Sequence, residues 1–391
     1  MTACAKGTDG MNDFERSCYE ELYALIAEHA HCYRRAEEAQ LAVWEDRVPD
    51  TQPLLLRCEL PPEMQQRFPD YHPGEVHYHT AKMLLSGMKP MLQAAMAGAE
   101  AVPSIRANMG CGIFPSLFPG IEALLFDDGK MPWVVNHLGQ DTIRNLREKD
   151  IALTDEFMVA LEHMEHLAER IAGTGAYVYP LDLQGPFDMA HIIYGDQIFY
   201  ELYDEPELIH HLLELCCLAI ELGLTECLKR MPDSDRVISH YNDMIMPRSL
   251  GGVKISEDTS TLLSAEHIDE FVIPYMRRIL DFTGGGYIHY CGRNDHLLKR
   301  SLELEKVRGI NFGNPDKHDM DEVLRRVTGA GKIFYGSIQP LEGEALPAYF
   351  QRLRRAATVD GKCRLLLAYS TEYEKIDDVK AAWESTEGTI E

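Results

Sequence analysis

The chain has 391 residues, of which 45% are apolar and 26% charged, as in a globular protein with a large core. Its 63 acidic residues exceed its 38 Lys and Arg residues, and the resulting formal charge of −25 argues against nucleic-acid and anionic-membrane partners. No apolar run approaches the roughly 20 residues that span a bilayer, and the start MTACAKGTDG lacks a secretion signal. The ten cysteines show no disulfide-scaffold spacing, which predicts reduced thiols in a cytoplasmic protein.

Helical periodicity begins early in the chain and recurs along its whole length. The segments with this periodicity are residues 11–40, 80–98, 153–173, 204–231, 264–283, 294–306, 319–329 and 341–358. Short apolar stretches of strand character lie between them, at 53–58, 102–108, 176–183, 236–242, 286–291, 307–313, 332–338 and 363–369. Several of these are continuous rather than alternating, as expected for parallel strands covered on both faces.

The order of the elements predicts the fold class. From residue 236 onward strands and helices alternate at roughly 20–45 residues per unit, which is typical of βαβ crossovers. Eight such strands predict an α/β protein with a (β/α)₈ TIM barrel. An open doubly wound sheet is the other choice, but it usually carries a glycine-rich phosphate turn, and no GxGxxG or GxxxxGK[ST] motif occurs. We predict one elaborated domain over 1–391, with 1–50 as a mainly helical N-terminal extension.

Polar side chains at the predicted strand ends would form the mouth of this barrel, where the catalytic groups of such folds lie. They are Arg106, Asn108, Asp182, Gln184, His240, Asn242, Asp243, His289, Cys291, Asn311, Ser337, Gln339 and Tyr369. Among them we predict Gln184, Asn242, Asn311 and Tyr369 as substrate-binding residues. Neutral amides and a phenol suit a small polar or aromatic compound better than a polycarboxylate.

The stretch GGGYIHYCGR, residues 284–293, places an imidazole and a thiol on one face of a strand, because His289 and Cys291 are two residues apart. The last predicted strand begins with Cys363, and inward groups of a barrel can converge across its pore. One His and two Cys suit zinc, with a fourth position open as in catalytic sites. The alternative is a core Cys beside a hydrogen-bonded His.

The segment VKISEDTSTLLS, residues 253–264, follows the fourth predicted strand and is expected to fold over the mouth. It would bring Glu257 or Asp258 near the metal or the substrate, as a catalytic group or as the remaining ligand. The alternative is that these acids cap the helix that starts near Ser264 or face solvent.

Several segments resemble the uroporphyrinogen decarboxylase superfamily. They are IHYCG with the flanking LLSAEHIDEFVIPYMRRIL and GINFGNPDKHDMDEVLRRVTGAGKIFYGSI, and LQGPFDMAHIIYGDQIFYELYDEPELIHHLLE at 183–214. The similarity covers about residues 100–370, and the superfamily fold is a (β/α)₈ barrel. The H-x-C pair with a distant Cys is similar to the zinc-dependent methyltransferases that work with corrinoid proteins, such as the methylcobalamin:coenzyme M and O-demethylase enzymes.

This resemblance implies a zinc-dependent methyltransferase with His289, Cys291 and Cys363 as the metal ligands. It would move a methyl group between a corrinoid and a small thiol or a methoxylated or methylated substrate, in a direction that the residues leave open. The chain has no D-x-H-x-x-G cobalamin motif, so methylcobalamin or cob(I)alamin would arrive on a separate corrinoid protein.

Two alternatives remain. One is a decarboxylase-type lyase acting on a tetrapyrrole, although the scattered Arg47 and Arg57 make a poor anion clamp. The other is a non-catalytic barrel that binds a corrinoid or a tetrapyrrole.

Overall fold

Residues 10–124 and 132–386 are described by the computed structural model, so residues 1–9 of the predicted N-terminal extension lie outside the described part. Sixteen α-helices lie within these ranges. They are α1 Asp13–Glu28, α2 Ala30–Trp44, α3 Pro62–Arg67, α4 Pro73–Tyr78, α5 Thr80–Ala97, α6 Gln140–Asn145, α7 Asp155–Ile171, α8 Pro186–Tyr194, α9 Ile198–Asp204, α10 Pro206–Arg230, α11 Ala265–His267, α12 Ile273–Thr283, α13 Asp295–Glu303, α14 Met320–Gly329, α15 Leu346–Ala357 and α16 Ile376–Glu384.

Fourteen strands accompany them in the described ranges. They are β1 Leu54–Cys58, β2 Ser104–Ile105, β3 Ala123–Leu124, β4 Trp133–Val134, β5 Tyr177–Val178, β6 Val237–His240, β7 Met244–Pro247, β8 Val253–Ser256, β9 Gly286–Tyr290, β10 Val307–Phe312, β11 Ile333–Gly336, β12 Thr358–Val359, β13 Lys362–Cys363 and β14 Leu365–Thr371. Six of them form one parallel sheet in the order β1-β14-β11-β10-β9-β8, and β2 and β5 form a separate parallel pair. The mixed α/β class is as predicted. The strand pairs assigned among the described residues do not close the two groups into a barrel.

The two faces of the six-stranded sheet bury different side chains. One face belongs to the main hydrophobic core, through Leu54, Leu56, Ile288, Ile310, Phe334, Leu365 and Leu367. The other face, called the inner face below, contributes Leu55, Tyr287, Tyr335, Leu366 and Ala368 to a smaller core. Burial on both faces explains why the strands are nearly continuous apolar runs.

Polar caps start the helices that follow the strands. The Asn294 side chain accepts hydrogen bonds from the amides of His296 and Leu297 at the start of α13. Asp319 accepts one from Glu322 at the start of α14. Such caps satisfy amides that have no partner within the helix and fix where each helix begins, immediately after the loop that leaves the sheet.

The fourth parallel strand is not where the sequence predicts it. β6, in the predicted strand 236–242, pairs antiparallel with β7, whereas β8 pairs parallel with β9. The chain reverses at Asn242 and Asp243, whose φ angles of 57° and 59° are left-handed, a conformation that Asn and Asp tolerate well. The segment 253–264 therefore begins as a sheet strand instead of a loop over the mouth.

The predicted helix 11–40 is two helices, α1 and α2, which meet at His29. α2 ends at Trp44, which with Val43 belongs to the inner-face core. The indole lies so close to Gly309 of β10 that a β-carbon added to this glycine would be 2.9 Å from Trp44 Cη2. Residues of the predicted extension thus pack directly against the sheet.

Within the described residues, α10 alone has the length and apolar composition of a membrane-crossing helix. Its most apolar 18-residue window is 61% buried inside the protein. Burial of this extent is what the core helix of a layered α/β fold shows.

Candidate metal centre

Three side chains at the carboxyl ends of β8 and β9 form a candidate metal centre. Asp258, His289 and Cys291 each offer one ligand atom, and these atoms all lie within 4.8 Å of one another. His289 Nε2 is 3.8 Å from Asp258 Oδ1 and 3.9 Å from Cys291 Sγ. Ligands around a tetrahedral zinc ion are separated by roughly 3.5 Å, so a small inward movement of these groups would suffice.

The orientation of the His289 ring follows from a chain of hydrogen bonds. Asn311 Nδ2 donates to the Tyr335 carbonyl at 2.6 Å, which turns the Asn311 Oδ1 atom toward the imidazole. That oxygen lies 2.5 Å from His289 Nδ1 and can only accept, so Nδ1 carries the proton. The lone pair is then on Nε2, which faces Asp258 and Cys291, as a metal ligand requires. Burial and Lys254 lower the pKa of His289, which favours this neutral form.

Asp258 is held by backbone hydrogen bonds. Its Oδ1 atom accepts the Cys291 amide at 2.5 Å. Its own amide and that of Thr259 donate to the two carboxylate oxygens of Asp188, each at 2.7 Å. Asp188 lies in the first turn of α8 and is buried, so it fixes the turn that carries Asp258.

Cys291 has room for its sulfur because the residue that lies against it in space, Gly313, has no side chain. A β-carbon built on Gly313 would lie 2.3 Å from Cys291 Sγ and 3.5 Å from His289 Cε1. Burial, and then the negative charge of Asp258, raise the pKa of Cys291 to about 11. The thiol therefore keeps its proton at neutral pH until a cation takes its place.

Glu257 does not join the three ligand atoms. Its side chain is fully buried beside α8, where Ser260 Oγ donates to its Oε2 atom at 2.7 Å and Gly185 leaves the space that it fills. Its Oε1 atom has no hydrogen-bond partner among the described residues. Burial, and then the neighbouring Asp188, raise the pKa of Glu257 well above its usual range.

The structure does not bring Cys363 to His289 and Cys291. Ile288, Ile310, Phe334 and Leu365 form one paired row across the sheet. His289 and Cys291 lie one and three residues beyond this row, whereas Cys363 lies two residues before it. Cys363 is therefore displaced from them by about 10 and 16 Å along the strand direction. Asp258 stands where the sequence analysis expected a second thiol.

The predicted substrate residues are divided among several places. Asn311 contacts His289, and Gln184 precedes Gly185, whose amide donates to the Ser256 carbonyl at 2.7 Å. Asn242 and Tyr369 line a cavity of about 420 Å³. The Tyr369 ring, however, packs on the helix side of the sheet, 5.5 Å from the Phe350 ring of α15.

A cationic cluster that the sequence analysis missed lies one layer deeper. Lys254 Nζ is 2.9 Å from Asp182 Oδ1, and Arg106 is 3.3 Å from the same oxygen. Lys254 pairs in register with Tyr287 while Ser256 pairs with His289, so Lys254 lies two residues below the imidazole on the inner face. Lys254 was overlooked because β8 is short. Its V-K-I-S alternation after two glycines is the signal that could have revealed it.

Among solved structures, a methyltransferase from Methanosarcina mazei has a similar fold, with a TM-score of 0.62 and 12% sequence identity. The match covers 89% of this chain and 97% of that chain. No family model matches the sequence, and no curated protein matches it. The overall architecture of this chain is thus similar to that of a known methyltransferase. A sequence identity of 12% shows similarity of the fold alone.

Proposed function

We propose that this protein is a zinc-dependent methyltransferase that moves a methyl group between a corrinoid protein and a small substrate. The observation that carries the proposal is the group of Asp258, His289 and Cys291, whose ligand atoms lie within 4.8 Å of one another. The fold shared with the Methanosarcina mazei methyltransferase supports it, as does the sequence resemblance to the uroporphyrinogen decarboxylase superfamily. We assign the chain to that superfamily as part of the same proposal.

A closed (β/α)₈ barrel belongs to the proposal as well. The two edges of the six-stranded sheet are β1 and β8, and β2 and β5 lie between them in the chain. β2 and β5 are parallel to each other, and a right-handed series of crossovers would insert them between those edges. Eight parallel strands would then surround the inner face, with His289 and Cys291 at the carboxyl end.

The three donor atoms fit zinc. An imidazole nitrogen, a thiolate and a carboxylate are its usual ligands, and three protein ligands leave a position for a substrate. Zinc bound there would supply a Lewis acid. A zinc ion with one thiolate ligand would be more electrophilic than one with the two thiolate ligands that the sequence analysis predicted. We infer that the substrate atom is the oxygen of a methyl ether or a methanol-like compound, not a thiol.

The residues around the ligands have separate tasks in this proposal. Asn311 keeps the Nε2 lone pair of His289 directed at the metal position, and Asp188 fixes the turn that presents Asp258. Gly313 leaves space for the Cys291 sulfur. These contacts hold the donors in place before a substrate enters, which lowers the cost of reorganisation during the reaction.

The partner would be a separate corrinoid protein carrying methylcobalamin or cob(I)alamin. It would dock over the carboxyl ends of the strands, because the ligand group lies there. One large apolar side chain near this group is available for such a contact: Leu262, four residues beyond Asp258, is 74% exposed.

The proposal is tested by loading the metal-stripped protein with zinc and incubating it with cob(I)alamin and a panel of methoxylated compounds and methanol. Formation of methylcobalamin, followed by its absorbance, should require zinc. In the Asp258→Asn variant its rate should fall to that of wild-type protein from which the zinc has been removed. Asp281→Asn, an exposed acid on α12, is the control and should keep the wild-type rate. Zinc bound at less than half an equivalent, or no transfer with any substrate in either direction, would contradict the proposal.

A further inference from the structure

The cationic cluster beneath the metal centre contains more positive than negative charge. A small cavity of about 50 Å³ is lined by Arg106, Arg248 and Lys254 and by a single carboxylate, Asp182. Asp182 is shared between Arg106 and Lys254, at 3.3 and 2.9 Å. Three cations around one carboxylate leave an excess of positive charge in a mostly buried place, where an unpaired charge is costly.

The positive charge of Arg248, the third cation, is not neutralised by a carboxylate in the described ranges. Its Nη1 atom donates to the carbonyls of Thr283 and Gly251, at 2.8 and 3.2 Å, and the ion pairs found in the described ranges include no carboxylate for it. Peptide carbonyls orient a guanidinium but do not neutralise it. The excess charge therefore persists in the protein as it stands.

A second observation points to a ligand in the same cavity. His240 lines it and is only 4% exposed, yet its Nε2 atom has no hydrogen-bond partner among the described residues. A buried ring nitrogen without a partner is uncommon in a folded protein. Burial and then Lys254 lower the pKa of His240 to about 3, so the ring is neutral. A ligand carboxylate beside it would satisfy Nε2, because a neutral imidazole with its proton on that nitrogen donates one hydrogen bond from it.

The position of the cavity relative to the metal centre sets the shape of the ligand. Lys254 lies two residues before Ser256 on β8, and Ser256 pairs with His289, so the backbone of Lys254 is roughly 7 Å below that of His289 along the strand direction. A benzene ring with two substituents at opposite positions holds them at about this separation. The cavity has room for a carboxylate and not for a whole aromatic compound, so the ring of the proposed ligand needs the space between the cavity and the Asp258–His289–Cys291 group.

We propose that the cavity lined by Arg106, Lys254 and His240 binds the carboxylate of a rigid aromatic methyl ether whose ether oxygen reaches the Asp258–His289–Cys291 group. This inference rests on the proposed function for the identity of the methyl group, and on the charge and the orphaned nitrogen for the carboxylate. Asp182 holds Arg106 and Lys254 in place and keeps a larger or more highly charged anion from being favoured.

The test measures equilibrium binding by calorimetry, apart from turnover. Zinc-loaded protein should bind 4-methoxybenzoate at least about tenfold more tightly than its neutral isostere 4-methoxybenzamide, and more tightly than 2-methoxybenzoate, whose groups are too close together. Lys254→Met, which leaves Arg106 paired with Asp182, should abolish the preference for the acid and leave the zinc content unchanged. Lys299→Met, at an exposed position on α13, should leave the affinity for the acid at the wild-type value.

Equal affinity for acid and amide, an unaltered preference in both Lys254→Met and Arg106→Met, or no measurable binding of the acid would overturn the inference. The two proposals fail separately. Lys254-dependent binding of the acid without methyl transfer contradicts the methyltransferase and keeps the carboxylate site. Zinc-dependent methyl transfer from neutral methyl ethers, with no effect of Lys254→Met, keeps the methyltransferase and contradicts the carboxylate site.

Discussion

Two layers of opposite charge lie one above the other on strands β8 and β9. The upper layer contains Asp258 and Cys291 with the buried acids Asp188 and Glu257 behind them, and the lower layer contains the cations around Asp182. Burial, and then the carboxylate of Asp258, raise the pKa of the Cys291 thiol in the upper layer. This comparison teaches that the charge of neither layer is balanced on its own. The upper layer needs a bound cation, and the lower layer needs a bound anion.

Removing the thiol should have the largest effect on the upper layer. Cys291→Ala should weaken zinc binding by more than about 100-fold, because a thiolate ligand is lost outright. The measurement is zinc content after dialysis against a competing chelator. Cys363→Ala is the matched control, and it should keep its zinc because Cys363 lies in β13, before the amino end of β14, whereas the proposed ligands lie at the carboxyl ends of their strands. Loss of zinc in the Cys363 variant alone would reverse the assignment of the ligands.

Filling the space beside the thiol should act more mildly. In Gly313→Ala the new β-carbon would meet the Cys291 sulfur, so the sulfur must move, and zinc affinity should fall by about 10- to 100-fold. Gly329→Ala is the control, because nothing lies within 4 Å of a β-carbon at that position of α14. It should bind zinc normally and melt at the same or a higher temperature. Unchanged zinc affinity in Gly313→Ala would mean that Cys291 is not a ligand.

Releasing the imidazole should have a smaller effect still. Asn311→Ala removes the acceptor of the His289 Nδ1 proton, and zinc affinity should fall by about tenfold, since the ring can then bind in the wrong tautomer. Competition titration would give the value. Asn311→Asp supplies the acceptor again and should recover most of the affinity, whereas equal losses in both variants would point to a disturbed strand instead.

The smallest effect concerns the stability of the metal-free protein. Because the pKa of Glu257 is raised in the folded state, its contribution to stability is full below about pH 4 and is lost as the pH rises through the folded value. Glu257→Gln should therefore raise the free energy of unfolding by roughly 1–2 kcal/mol at pH 8 and by less at pH 5. Urea titrations at the two pH values measure this. The exposed Glu342→Gln is the control, and a benefit of equal size at both pH values would contradict the charged-layer account.

Sequence reasoning was most effective where one strand carries its own information. The spacing of His289 and Cys291 predicts their common face, since alternation along a strand is a local property. Cys363 is the last residue of β13 and lies two residues before β14 begins, and β14 is offset so that its inner position at the carboxyl end is Ser370, paired with Arg57. Register between strands depends on packing across the sheet, so the sequence could not exclude Cys363.

Other parts of the site depend on contacts between distant segments. Asp188 reaches the turn of Asp258 from α8, and Lys254 and Arg106 meet at Asp182 from two different parts of the chain. The hairpin of β6 and β7 displaced the fourth parallel strand because the sequence analysis did not detect the reversal at Asn242. These misses share one cause, which is that tertiary pairing decides among locally similar apolar segments.

The contact of Trp44 with Gly309 bears on where this chain can be shortened. Counting strands suggests that the fold begins at β1 and that everything before it is dispensable. Val43 and Trp44, however, belong to the same small core as Tyr287 and Tyr335, whose strands also carry the proposed metal ligand His289 and the carbonyl that orients Asn311. A shortened chain that lacks residues 1–50 would lose Val43 and Trp44 from that core. The site above the core would then lose its rigidity.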